Sequence, residues 1–176
     1  MIIKELTVAE CRAVLSEVGL GRLACARDNQ PYVVPVHFVY EVNDFLFAFS
    51  TLGQKIEWMR SNPLVCVEVE RVREQNDWTT IVIFGEYEEL PSTNEFASDR
   101  TYAYELLSRQ PSWWQPAYVA GTHRTSSENA EPIYFRIRIS RMTGHQAFVD
   151  ETEADRKSNQ QTRQGGWWKR LWEKNL

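Results

Sequence analysis

The sequence predicts a mainly β protein with flanking helices, built on six or seven antiparallel strands arranged as a closed or split barrel. Three observations predict it. β-rich runs recur between short polar links, which favour antiparallel neighbours. One run alternates cleanly, with Ile133, Phe135, Ile137 and Ile139 set against Tyr134, Arg136 and Arg138. Few segments carry a helical period, and each has its own start and stop signals. A closed or split barrel solves the free-edge problem for such a strand set.

In chain order, Thr7 to Val18 reads as a helix. Thr7 with Glu10 three residues on is a capping box, and Val8, Cys11, Val14, Leu15 and Val18 share one face. Gly19 and Gly21 close it. Strands follow at Arg22 to Ala26, Tyr32 to Tyr40 and Phe45 to Phe49, separated by polar turns. A short helix then runs to Asn62-Pro63, because the residue before proline avoids the α region. Leu64 to Val72 and Trp78 to Leu90 are strands, and Gly85 inside the second marks a bulge or a close backbone approach. A second helix is expected from Pro91-Ser92 to about Ser108, with Ser92 and Glu95 as another capping box. A loop rich in Trp, Pro and Gly spans Gln110 to Glu131. Ile133 to Ser140 is the amphipathic strand, and Phe148-Val149 ends a last one.

With 176 residues, 43% of them hydrophobic, residues 1–150 suffice for one domain with a full core. Residues 151–176 read as a polar linker followed by a Trp-rich segment, WWKRLWEKNL. A net charge of −4 argues against a general nucleic-acid binder. No stretch of eighteen apolar residues predicts a membrane span, and MIIKELTVAEC is not a signal peptide. Cys11, Cys25 and Cys66 form no C-x-x-C pair, which suits a reducing, cytoplasmic setting. His37, His123 and His145 have no metal-ligand spacing, so no metal is expected.

The window Phe49 to Glu70 carries the chemistry. Ser50, Thr51, Gly53 and Lys55 gather at a helix start. Free backbone N–H groups, two hydroxyls, an ammonium and the helix dipole suit a phosphate monoester. Gly53 lets the backbone approach an anion or take a positive φ. The competing reading is a plain helix cap with a solvated lysine. The order is not that of a P-loop.

The segments G-R-L-A, Q-P-Y-V-V-P-V, F-x-F-S-T-L-G-Q-K-I and R-S-N-P-x-V-C-V-E-V, within Leu6 to Leu90, are similar to the pyridoxamine 5′-phosphate oxidase-like FMN-binding split barrels. Nitroimidazole-resistance-type flavoproteins are related to that group. The resemblance implies a six-stranded antiparallel split β-barrel and a homodimer with FMN in two clefts between subunits. It implies that Pro35, Val36 and His37 run beside the isoalloxazine. Ser50, Thr51 and Lys55 would hold the phosphate, and Arg60 is either an assistant or solvated. Trp113 and Trp114 sit in a loop that reaches the partner's flavin cleft or packs locally.

Two departures matter. The C-terminal Trp and Arg-x-His signature of vitamin B6-forming oxidases is missing, and Gln54 stands where nitroimidazole reductases read histidine. The expectation is therefore an FMN-dependent oxidoreductase acting on an unknown small-molecule substrate. The alternative is a non-catalytic module that binds flavin, haem or the deazaflavin F420; a third reading is an interaction protein that has lost its cofactor. The Trp-rich tail is expected to dock on its own dimer rather than on a membrane.

Overall fold

The computed structural model describes residues 1–41, 43–109 and 132–148. Their elements are β1 (Ile2–Leu6), α1 (Val8–Leu15), β2 (Leu20–Arg27), β3 (Gln30–His37), β4 (Val39–Glu41), β5 (Phe45–Ser50), α2 (Gln54–Ser61), β6 (Leu64–Glu74), β7 (Asp77–Leu90), α3 (Ala97–Ser108) and β8 (Ile133–Phe148). All ladders are antiparallel, in the order β3-β2-β6-β7-β8-β5-β4, with β1 added beside β8. The sheet curls until β3 approaches β5, but no ladder closes it. That is a split barrel.

The described residues hold eight strands rather than six. Ile2–Leu6 shows no apolar alternation and was not readable as a strand; it pairs Leu6 with Gly144 and Ile2 with Phe148. The run Tyr32 to Tyr40 divides at Phe38, whose N–H leaves the ladder to donate to the Gly19 carbonyl at 3.0 Å.

Inward positions build one main core. Leu15, Leu23, Leu46, Ile56, Met59, Val67, Ile81, Ile83, Phe135 and Ile137 are fully buried within it. Gly85 is where β7 and β8 slip register. The extra residue is Ser140, whose hydroxyl donates to the Phe84 carbonyl at 3.0 Å. It inverts the phase of β8. Phe135 and Ile137 face inward before it, and Met142 and Gly144 after it. A strand reading based on one phase therefore stops at Ser140, while β8 continues to Phe148.

The capping box of α1 is present. Thr7 Oγ1 accepts from Glu10 N–H, and Glu10 returns the bond to Thr7 N–H at 2.8 Å. That backbone bond, helped by Lys4, holds the Glu10 carboxyl down at about 2. The second box is absent. Thr93 N–H donates to the Pro91 carbonyl and Phe96 N–H to the Thr93 carbonyl, so the chain turns locally, and α3 starts only at Ala97 without a side-chain cap.

Candidate functional site

α2 is short, and its sequence gives it one buried face: Ile56, Trp58 and Met59. Trp58 packs against Tyr32 of β3 at 5.5 Å between ring centroids, and the Arg27 guanidinium lies over the Trp58 ring, 5.2 Å from its centroid. Asn62 ends the helix in an extended conformation and ties it to β2 by donating from Nδ2 to the Ala26 carbonyl at 3.0 Å. The packing thus fixes α2 across one end of β2 and β3.

The start of α2 is bare. Ser50 is the last residue of β5, is buried, and donates its hydroxyl to the Thr51 carbonyl at 2.9 Å. Thr51 is exposed. Gly53 is the N-cap, with no side-chain cap bond. Neither hydroxyl accepts from a helix N–H, so the plain-cap reading of Ser50 and Thr51 fails. Gly53 has φ 173°, an extended conformation open to any residue, so the expected positive φ is not needed. A Cβ built there meets nothing within 4 Å. The space beside Gly53 is open, and no side chain caps the first N–H groups of the helix.

Lys55 lies on this first turn and is half-buried. It makes no ion pair among the described residues. Burial lowers its pKa, and the neighbouring titratable group is the buried Cys25 thiol, itself pushed up by burial. A half-buried ammonium with no counter-ion is costly, and an anion arriving at the same turn would offset the cost. The donors present thus fit a phosphate: bare N–H groups, Thr51, Lys55 and space at Gly53.

Pro35, Val36 and His37 lie at the end of β3. Pro35 is exposed, opposite Arg22, and His37 is half-buried, opposite Leu20. Val36 turns its side chain into the core, leaving only its backbone for a ligand. Burial lowers the His37 pKa, and a bond to the Gly19 backbone works against that shift. Cys25, the neighbour of Lys55, is paired with Tyr32 on β3. From Tyr32 to Pro35 and His37 the strand rises roughly 10 to 17 Å. Ser50, Thr51 and Lys55 thus form one group, with Pro35 and His37 a strand's length away. Trp113, Trp114, His123 and the tail lie outside the described residues.

Arg60 is exposed, and its guanidinium is held in an ion pair. Its Nε and Nη2 donate to the two carboxylate oxygens of Glu89 at 2.7 Å each, and Tyr87 OH donates to Glu89 Oε2 at 2.8 Å. Arg60 lowers the Glu89 pKa, while burial raises that of Tyr87. Sequence reasoning missed Glu89 and Tyr87, since no local pattern links them to a helix 29 residues away. Beside the pair, at the opposite end of α2 from Lys55, is a cleft of about 220 Å³ lined by Arg60, Glu89, Ser92, Arg100 and Ile133 among others. Among the described residues no group of acidic, His or Cys side chains could hold a metal ion, and no helix is long and apolar enough to cross a membrane.

Fold and site define an antiparallel split barrel with an uncapped, lysine-bearing helix start. Residues 7–146 match the family described as pyridoxamine 5′-phosphate oxidase, and the chain belongs to that family. An uncharacterised protein of Rhizobium meliloti (strain 1021) is 36% identical over 151 residues, covering 86% of this chain and 99% of that one. Among solved structures, an FAD-binding protein from Mesorhizobium loti is 38% identical with a TM-score of 0.69, covering 85% of this chain and 99% of that chain. An FAD-binding protein from Mycobacterium smegmatis shares the fold at 17% identity and a TM-score of 0.56, over 81% of this chain and 98% of that chain.

Proposed function

We propose that the protein binds a flavin nucleotide, FMN or the FMN half of FAD, with the ribityl phosphate at the start of α2 and the isoalloxazine along β3 near Pro35 and His37. The observation that carries this reading is Lys55, half-buried and without an ion pair among the described residues at an uncapped helix start. Family membership and the FAD-binding relative from Mesorhizobium loti support it. FMN and FAD carry the same first phosphate, so one cradle serves both. When bound, the flavin supplies the redox chemistry, and the protein acts as an oxidoreductase on a small-molecule substrate. The chain's own residues bind and orient: Lys55 supplies charge, Thr51 and the α2 N–H groups donate, and Gly53 leaves room. An absorption spectrum of the purified protein, with mass identification of the released cofactor, tests the reading. A flavin spectrum with FMN or FAD released is expected. A colourless protein that takes up neither nucleotide overturns it.

The working form in this reading is a cytoplasmic homodimer. The support is the outer face of the sheet. Register places Val33, Ala24, Cys66 and Phe84 in one row across four strands, and Val33, Leu64 and Phe84 are 57%, 64% and 36% exposed. Apolar side chains in a continuous row on an open face are the pattern of a subunit contact. Sedimentation of the wild type as a dimer, and of Phe84→Glu as a folded monomer, is the expected result. A wild type that sediments as a monomer at micromolar concentration removes the dimer.

A further inference from the structure

We propose that Glu89, supported by Tyr87, is a positioning residue for the anion cradle: through Arg60 it sets the rotation of α2 and so places Lys55. The proposal rests on the phosphate reading of the helix start.

Apolar packing and the Asn62–Ala26 bond hold the helix against β2 and β3, and the Arg60–Glu89 pair adds a directional tie to β7. The helix has eight residues, about 12 Å of axis, and no side-chain cap at its start. Its buried face is apolar, and apolar contacts are non-directional. A two-pronged guanidinium–carboxylate pair is directional, because two parallel N–H···O bonds fix a plane. Arg60 forms that pair with Glu89, which β7 holds in the sheet. Tyr87 is 8% exposed, packs on Phe135 at 5.3 Å, and fixes one oxygen of the carboxylate. The clamp therefore rests on the core. Tyr87 N–H also donates to the Pro63 carbonyl at 2.8 Å, which pins the chain just beyond the helix.

Lys55 lies five residues before Arg60, about 140° round the helix and 7.5 Å along it. At a side-chain radius of about 5–6 Å, a turn of about 20° moves a terminal group by about 2 Å. That is enough to break a hydrogen bond to a phosphate oxygen. Loss of the clamp would thus be felt at the cradle, although Glu89 touches nothing there.

Riboflavin separates this role from a merely structural one, because it has the ring and the ribityl chain but no phosphate. Wild type should bind FMN far more tightly than riboflavin. In Glu89→Gln the FMN affinity should fall about five- to tenfold with riboflavin affinity unchanged, corresponding to the loss of one charge-assisted contact. The charge-swapped pair Arg60→Glu with Glu89→Arg should recover most of the FMN preference. Equal losses for FMN and riboflavin in Glu89→Gln, or an unchanged FMN preference, overturn the positioning role. If Glu89→Gln does not fold, Tyr87→Phe, which keeps the ring, takes its place: a reduced FMN preference supports the role and an unchanged one overturns it. A wild type with no preference for FMN over riboflavin instead removes the phosphate cradle itself.

Discussion

Lys55→Ala should weaken FMN binding by roughly 10- to 100-fold and leave riboflavin binding where it was. The size follows from removing one charge-assisted contact in a partly desolvated place, where the ammonium has no other ion pair among the described residues. Stability of the ligand-free protein should not fall, because the variant also removes the cost of half-burying a charge. The pH dependence gives the assignment a second signature. Burial lowers the Lys55 pKa in the folded, ligand-free state. Between that lowered value and the ordinary lysine value, the unfolded chain holds more protons than the folded one. Ligand-free stability therefore rises with pH through that window and is least below it. A bound phosphate restores the charged form, so binding takes up a proton there and FMN affinity falls as pH rises through the same window. At the acid end, affinity rises through about pH 6 as the phosphate gains its second charge. Wild type should give both limbs by titration, Lys55→Ala only the acid one, and riboflavin neither. An alkaline limb that survives in Lys55→Ala would assign the proton to another group.

How much of this was legible depends on how local each signal is. The lysine-bearing helix start was legible because strand end, helix start and Asn62-Pro63 stop follow one another in a single short stretch of chain. The Thr7–Glu10 box was legible for the same reason, and it formed. The same pattern at Ser92–Glu95 did not form, because tight turns after Pro91 take up those residues before the helix begins. Val36 illustrates a different limit. A strand alternates sides, so three consecutive residues cannot all offer side chains to one ligand, and Val36 went to the core. β8 was cut short in the sequence because the extra Ser140 reverses its phase, and Arg141, Thr143 and His145 then face outward. The Arg60–Glu89–Tyr87 clamp was not legible at all. It joins a helix to a strand that antiparallel pairing brings beside it, and nothing in either segment alone announces the partner.

Gly85→Ala should destabilise the fold by about 2–3 kcal/mol, since overpacking a filled site typically costs 1–3 kcal/mol. A Cβ at this position would lie 2.6 Å from the Arg138 carbonyl oxygen and 2.7 Å from Ile137 Cγ2. The first obstacle is backbone, and it belongs to the strand that β7 pairs with along most of its length. Relief would need β8 to move, yet β8 also carries β1 and β5, so the ladder resists on both sides. Gly144→Ala is a useful contrast. There the added Cβ meets Cys11 Sγ at 2.6 Å and Leu6 side-chain atoms beyond 3 Å. Those obstacles are side chains, and Cys11→Ala removes the nearest of them. The double variant Cys11→Ala with Gly144→Ala should therefore recover part of the loss, whereas no single side-chain deletion rescues Gly85→Ala. At this chain length each kcal/mol moves the melting temperature by about 2–4 °C, so Gly85→Ala should melt roughly 4–12 °C below wild type. A melting temperature unchanged by Gly85→Ala would mean that β7 and β8 do not approach as closely as the bulge at Ser140 requires.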